Sequence, residues 1–205
     1  MSKISQFELG PLETCSYLIC NGSQAVAIDV GGNPAPMLAA LKRDSLALTH
    51  ILLTHLHFDH TGGVAALVAG CAQAGHTPAV LLHEADLYLL NGGMGMPPVE
   101  PFAHSTVPLG TQNFAGLECR VLHTPGHTPG GVAYYFPALD SVFAGDDIFY
   151  RSIGRTDFPG GDTNTLYTSI RTQIYTLPDV TAIYPGHGPA TCVKDEKCSN
   201  PFVRS

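Results

Sequence analysis

An α/β fold of two β-sheets with helices on their outer faces is predicted from three features of the sequence. Short apolar, β-branched runs alternate with segments whose apolar residues recur at helical spacing. Four of the runs lead into glycine-rich loops carrying histidine or aspartate, at the strand ends where α/β proteins place their sites. A hydrophobic fraction of 44% against 13% charged residues supplies a sizeable core for 205 residues. That length fits one large domain or two small ones. No repeat, low-complexity tract or linker interrupts it, so residues 1–205 are read as a single domain.

Ile4 to Leu9 alternates and stops at Gly10-Pro11, a first strand. Cys15–Cys20 and Ala25–Val30 flank Asn21-Gly22, a hairpin signal. Asp29 closes the second of these strands before Gly31-Gly32, where it either supports a metal ligand or closes a turn. Asn33-Pro34 reads as an N-cap with proline at the first helical position; Met37, Leu38 and Leu41 mark the buried stripe. Thr49 to Leu53 is a buried strand, and Val64, Leu67, Val68 and Cys71 recur at helical spacing as far as Gly75. Ala79–Leu82 is a strand and Glu84–Leu90 a short helix. Asn91 to Gly110, rich in Gly, Pro and Met, is a long loop of the kind that forms lids or pocket walls. Leu117–Leu122, Val132–Phe136 and Ser141–Phe143 are strands, the last two joined by a tight turn at Ala138-Leu139-Asp140. Asp162 or Thr163 caps a helix carrying Leu166, Ile170 and Ile174, and Val180–Tyr184 is the last strand.

Bulk properties exclude several classes. A formal charge of −7 argues against a phosphate-tracking surface, so no nucleic-acid partner is expected. The N-terminal residues lack the apolar stretch of a signal peptide, and no apolar run is long enough to span a bilayer. The chain is therefore expected to be soluble and cytoplasmic, with no membrane partner. Cys15, Cys20, Cys71, Cys119, Cys192 and Cys198 follow no CxxC spacing and read as reduced, mostly buried thiols; Cys192 and Cys198 are the pair placed for a local bridge.

Thr54 to Gly63 holds the densest chemistry. It places His55, His57, Asp59 and His60 directly after the apolar run Ile51-Leu52-Leu53, and no packing requirement explains that. His127 in Thr124–Gly130, Asp146 in Phe143–Asp147 and His187 in Tyr184–Pro189 repeat the pattern, each after an apolar strand and beside glycines that allow close backbone approach. Seven such residues point to metal binding. Three ligands and a water suffice for one catalytic zinc; seven allow a second ion and a bridging carboxylate.

The set His55-x-His57-x-Asp59-His60 with His127, Asp146 and His187 resembles the metallo-β-lactamase superfamily over nearly the whole chain. The resemblance implies a four-layer αβ/βα sandwich of two mixed β-sheets flanked by helices. It implies that His55, His57 and His127 bind one metal, that Asp59, His60 and His187 bind the other, and that Asp146 bridges. True β-lactamases generally lack this combination of His60 and bridging aspartate, and flavodiiron proteins carry Glu at the position of His57. The segments Thr124–Gly130, Gly145–Phe149, Gly154–Asp162, Pro185–Pro189 and Asn200–Phe202 resemble short type II glyoxalases, the hydroxyacylglutathione hydrolases. The C-terminal helical, glutathione-contacting domain of the longer glyoxalases has no counterpart in this sequence, and Gly131 stands where short glyoxalases often have a polar residue or histidine.

That resemblance implies hydrolysis of a glutathione-type thioester such as S-lactoylglutathione by a metal-bridging hydroxide. Two divalent ions are implied, zinc first, with iron or manganese accepted by the same donors. Asp59 and Asp146 would orient the hydroxide and accept its proton. A thiolate leaves without a strong general acid, and no G-x-S-x-G elbow is present. The acidic protein then needs a local cation for substrate carboxylates. Arg155 matches the position of a basic glutathione-contacting residue, with a structural pairing to Asp157 or Asp162 as its alternative; Arg151 is a second candidate. Tyr150 and Phe158 read as either substrate-packing or core residues. His50, His76, His83, His104 and His123 read as surface or satisfied core groups, with His104 in the long loop. The main rival is a mononuclear iron persulfide dioxygenase acting on glutathione persulfide, which has a similar Gly-Arg-Thr-Asp-Phe segment and would use His55, His127 and Asp146. The Pro-Gly-His-Gly-Pro end at 185–189 favours the glyoxalase. A lactonase and a metal-free interaction domain are weaker alternatives; the latter should have lost ligands that this sequence keeps.

Overall fold

The structure, a computed structural model, describes residues 2–92 and 97–204. The chain divides into two compact units, Met1–Val107 with Asn113–Leu117, and Pro108–Gln112 with Glu118–Ser205. Each is built on a mixed six-stranded sheet.

In the first unit β1 (Lys3–Leu9), β2 (Thr14–Asn21) and β3 (Gln24–Ile28) form an antiparallel meander. The hairpin between β2 and β3 turns on Gly22-Ser23, one residue later than the Asn-Gly signal suggests. Asn21 is still paired, opposite Gln24, and its side-chain amide donates to the Ala115 carbonyl at 3.0 Å. Gly22 takes the turn with φ 58°, a left-handed value glycine adopts without strain. From β3 onward the sheet is parallel: α1 (Ala35–Arg43) crosses to β4 (Ala47–Leu52), and α2 (Phe58–Thr61) with α3 (Val64–Gln73) crosses to β5 (Ala79–Leu82). Parallel neighbours need such helical crossovers. The first helix starts one residue later than expected: Pro34, not Asn33, is its N-cap, and Asn33 lies one residue outside, its Oδ1 accepting from Ala35 N–H at 3.1 Å. Ile51, Leu53, Leu56, Val64 and Leu67 lie in this unit's core, where burying each large aliphatic side chain contributes about 1.5–3 kcal/mol. Leu38 of α1 packs so closely on Gly70 of α3 that a Cβ there would stand 2.5 Å from its methyl.

The segment after β5 departs from expectation in part. Glu84–Asn91 is the expected short helix, of 3-10 type, but within the predicted loop Ser105–Thr106 forms a sixth strand, β6, paired parallel to β5. The predicted loop also includes residues 93–96, which lie outside the described residues.

In the second sheet β7 (Gly110–Phe114), β8 (Leu117–His123), β9 (Val132–Phe136) and β10 (Ser141–Gly145) are neighbours in that order. A small hairpin follows, β11 (Ile148–Phe149) with β12 (Ser152–Ile153). Next comes α4 (Thr163–Ser169), capped by Asp162, whose carboxylate accepts from Thr165 N–H at 2.7 Å. The predicted helix continues through Ile174, but from Ile170 it widens into a π-helical turn. Its stripe of Leu166, Ile170 and Ile174 is fully buried nonetheless. β13 (Ala182–Pro185) then pairs parallel to β10. It starts two residues later than expected, because Thr181 N–H closes a turn onto the Pro178 carbonyl. β14 (Thr191–Cys192) and α5 (Val193–Ser199) complete the unit. Among the described residues no helix is long and apolar enough to cross a membrane.

Candidate functional site

The first unit delivers four of the seven predicted ligands from the turn after β4. That turn is anchored on Asp29, 1% exposed at the end of β3 with φ 52°. Aspartate tolerates this left-handed backbone better than most residues. Its Oδ1 accepts the Thr54 backbone N–H at 2.8 Å, and its Oδ2 accepts the Thr54 hydroxyl at 2.7 Å and His60 Nδ1–H at 2.8 Å. Because an ionised carboxylate only accepts, the His60 proton sits on Nδ1 and Nε2 carries the lone pair. Thr54 has spent its single hydroxyl hydrogen on Asp29, so its oxygen accepts from His55 Nδ1–H at 3.1 Å, again leaving Nε2 as the donor atom for a cation. Asp29 thus supports the ligand loop, the first of its two sequence readings.

The four side chains stand together. The His55 ring centroid lies 4.8 Å from that of His57 and 4.0 Å from that of His60. His60 Nε2 is 3.6 Å from Asp59 Oδ2. Asp59 is buried, and Thr14 on β2 donates its hydroxyl to Asp59 Oδ2 at 3.2 Å. The loop reaches this position only because glycines line it. A Cβ on Gly31 would stand 2.5 Å from the Asp59 carbonyl oxygen, and one on Gly63 would overlap the Gly32 carbonyl.

The second unit brings together the other three. His127 donates Nδ1–H to the Arg155 carbonyl at 2.7 Å, which fixes its tautomer with the lone pair on Nε2. His127 Nε2 and His187 Nε2 each stand 3.7 Å from Asp146 Oδ2. These separations, like the 3.6 Å between His60 and Asp59, are too long for hydrogen bonds. They suit ligands sharing a cation: two donors each about 2.1 Å from one ion at a tetrahedral angle stand roughly 3.4 Å apart. Imidazole and carboxylate donors, with the tautomers of His55, His60 and His127 fixed, therefore fit divalent metal in both units. Gly154 allows the fit, since a Cβ there would overlap the Asp146 carbonyl and lie 3.3 Å from His127 Nδ1. Next to Asp146, burial pushes Asp147 well above the usual carboxylate range, and the neighbouring Asp146 charge adds to it.

The two predicted substrate cations sit differently. Arg155 is exposed, forms a two-pronged ion pair with Asp157 (both contacts 2.7 Å) and lies 3.9 Å over the Phe158 ring. The Arg155 hydrogen bond holds the Asp157 carboxyl down at about 2. Arg151 instead turns to α5: its guanidinium donates to the Asp195 carbonyl and lies 3.5 Å from Glu196 Oε1, while its backbone N–H donates to Glu196 Oε2 at 3.1 Å. Tyr150 is exposed. Among the remaining histidines, His50 packs on Phe114, His83 accepts from Ala85 N–H, His104 is exposed beside the Phe102 carbonyl, and His123 meets the Pro129 carbonyl. Thr14, Thr54 and the Arg155 carbonyl escaped the sequence reading. The first two show there only as hydroxyls beside apolar runs, and a backbone acceptor leaves no mark at all.

Comparison with known proteins adds the following. The family profile of the metallo-beta-lactamase superfamily matches residues 9–187. A probable metallo-hydrolase, YqgX of Bacillus subtilis strain 168, is 36% identical, the match covering 98% of this chain and 97% of that protein. Hydroxyacylglutathione hydrolase GloC of Haemophilus influenzae is 33% identical over 94% of this chain and 93% of its own. Among solved structures, BLEG-1 B3 metallo-beta-lactamase superposes with a TM-score of 0.89 at 35% identity, covering 99% of this chain and 100% of that one. TTHA1623 in a di-iron-bound form gives 0.85 at 39% identity, covering 97% and 100%. ETHE1 from Myxococcus xanthus gives 0.79 at 32% identity, covering 98% and 84%.

Proposed function

The chain belongs to the metallo-β-lactamase superfamily of metallo-hydrolases, and on that premise we propose that it hydrolyses a glutathione-type thioester such as S-lactoylglutathione. In this reading His55, His57 and His127 hold one divalent ion, Asp59, His60 and His187 hold a second, and Asp146 is shared. The observation that carries it is the position of Asp146 Oδ2, 3.7 Å from both His127 Nε2 and His187 Nε2, as a carboxylate common to two ions requires. The GloC relative supports the thioester, and the neighbour solved in a di-iron-bound form supports paired metals.

When bound, the ions supply a hydroxide near neutral pH and polarise the carbonyl under attack. The chain's own groups do the rest. Asp59 and Asp146 orient the attacking water and take up its proton. Asp29, Thr54 and the Arg155 carbonyl keep the histidine donor atoms turned toward the ions and ready-made, so little reorganisation accompanies the reaction. The leaving thiolate, with a pKa of roughly 8.5, departs without an acid. Arg155 offers its charge to a substrate carboxylate by exchanging or sharing Asp157.

The competing reading is oxygenation of glutathione persulfide at one iron held by His55, His127 and Asp146, a two-His-one-carboxylate set of which His127 Nε2 and Asp146 Oδ2 stand 3.7 Å apart. Metal analysis of the purified protein, combined with S-lactoylglutathione cleavage and oxygen uptake with glutathione persulfide, separates the two. The hydrolase should carry two ions per chain and cleave the thioester. About one iron per chain with oxygen uptake and no cleavage overturns it. A chromogenic cephalosporin serves as a third substrate, and its turnover in preference to the thioester would likewise sink the proposal.

A further inference from the structure

We infer that Thr14 is the positioning residue for Asp59 and sets the affinity of one of the two metal sites. The inference deepens the dinuclear reading and rests on it. β2 is buried along Thr14 to Ile19, and in that apolar setting Thr14 and Ser16, two residues apart and so on one face, carry hydroxyls. Each hydroxyl meets the ligand-bearing side of the first unit. Thr14 donates to Asp59 Oδ2 at 3.2 Å, and Ser16 accepts the Gly31 N–H at 3.1 Å. Thr14 itself is 0% exposed, so its hydroxyl has no water to fall back on.

The oxygen that Thr14 holds is the one standing 3.6 Å from His60 Nε2. A carboxylate turns easily about its last bond, and without a fixed partner its oxygens would sample many angles. Thr14 fixes one of them at ligand spacing from His60, just as Asp29 fixes the His60 ring from the opposite nitrogen. Gly31 keeps this arrangement open, because a Cβ there would lie 2.7 Å from Thr14 Cβ as well as against the Asp59 carbonyl. Neither His55 nor His57 is reached by Thr14 in any recorded hydrogen bond. Its influence therefore falls on the ion assigned to Asp59 and His60, not on the one assigned to His55 and His57.

Chelator competition resolves the two ions. Apo protein, Thr14→Val and Thr14→Ser are loaded with zinc and titrated with a chromophoric chelator, with the thermal unfolding of each apo form as a folding control. Thr14→Val keeps the shape and loses the hydroxyl. One ion should weaken by roughly 10–100-fold, the usual effect of losing a partner behind a metal ligand, while the other keeps its parental affinity. Thr14→Ser keeps the hydroxyl and should bind both ions within about threefold of the parent. Parental affinity for both ions in Thr14→Val overturns the inference. So does an equal weakening in Thr14→Ser, which would assign the effect to packing of the methyl group. A parent protein that takes up fewer than two ions overturns the dinuclear reading and this inference with it, and that outcome is read before any variant is compared.

Discussion

The two units solve one problem in opposite ways. The first packs four proposed ligands into His55–His60, a single turn, and wires it from behind through the side chains of Asp29, Thr54 and Thr14. The second gathers His127, Asp146 and His187 from three separate loops, and behind His127 stands a backbone carbonyl, that of Arg155. A clustered loop cannot be held by its own short backbone, so it borrows side chains from the neighbouring strands β2 and β3. Dispersed ligands sit each at the end of its own strand, and the sheet itself sets their spacing. The first arrangement should respond to side-chain substitutions around it; the second should respond mainly to loss of the ligand at its centre.

The sharpest break is Asp146→Ala. Asp146 Oδ2 stands 3.7 Å from Nε2 of both His127 and His187. Its removal should cut kcat/KM for the thioester by about a thousandfold or more, since several kcal/mol of charge stabilisation are at stake, and metal content should fall to one ion or fewer. Steady-state kinetics with metal analysis checks both.

Asp29→Asn tests the side-chain wiring. Asparagine tolerates the φ of 52° but offers one accepting oxygen where the structure uses two, against three donors. Metal affinity should drop roughly 10–100-fold with little change in the fold by circular dichroism. An unaffected Asp29→Asn would erase the distinction between the units.

Gly63→Ala and Gly154→Ala probe the close approaches. Each new methyl meets a backbone carbonyl, of Gly32 in the first unit and of Asp146 in the second. Overpacking of this kind costs about 1–3 kcal/mol, read as a lower urea midpoint. In Gly154→Ala the strain falls on a ligand's own carbonyl, so activity should fall further than stability alone explains; in Gly63→Ala the two should fall together.

The smallest effect concerns Asp157, held at about 2 by Arg155. A depressed folded-state pKa contributes stability that is fully present above the ordinary carboxylate value near 4 and is lost as pH falls through about 2. Arg155→Ala should return Asp157 to the ordinary range in an NMR titration and leave Tm near neutral pH almost unmoved, because both groups are exposed. The same variant should raise KM for the glutathione thioester more than for a small neutral thioester.

The two units were also unequally legible in sequence. The His/Asp loop announced itself because no core needs three imidazoles and a carboxylate in six residues. His127, Asp146 and His187 were visible because each follows a strand, alternately buried in β8 and β13 and buried throughout in β10. What failed to show were the short or polar elements. β7, GTQNF, carries no alternation that marks a strand, and β6, β11, β12 and β14 are two residues each. They exist because a neighbour supplies the partner, which is tertiary information. The π-helical turn after Ser169 was invisible for a related reason: its stripe of buried isoleucines fits a helix of either pitch. Asp29 was half legible, since its place at a strand end suggested a role that only its three hydrogen bonds decide.

α5 shows what a buried charge can do for a segment with little grease. Its sequence VKDEKCS buries Val193 and, unexpectedly, Glu196. Glu196 is 0% exposed and accepts from the Arg151 backbone, the Thr191 hydroxyl and the Asn200 amide. Asn200 in turn donates to the Ser152 carbonyl, and Tyr175 donates to the carbonyl of Val203. Terminal helices commonly fray and admit proteases. Here the helix cannot lift without stranding a carboxylate and several donors at once, so a protease should find residues 193–203 no easier to enter than the sheet on which they lie, and their amide hydrogens should exchange on the sheet's timescale.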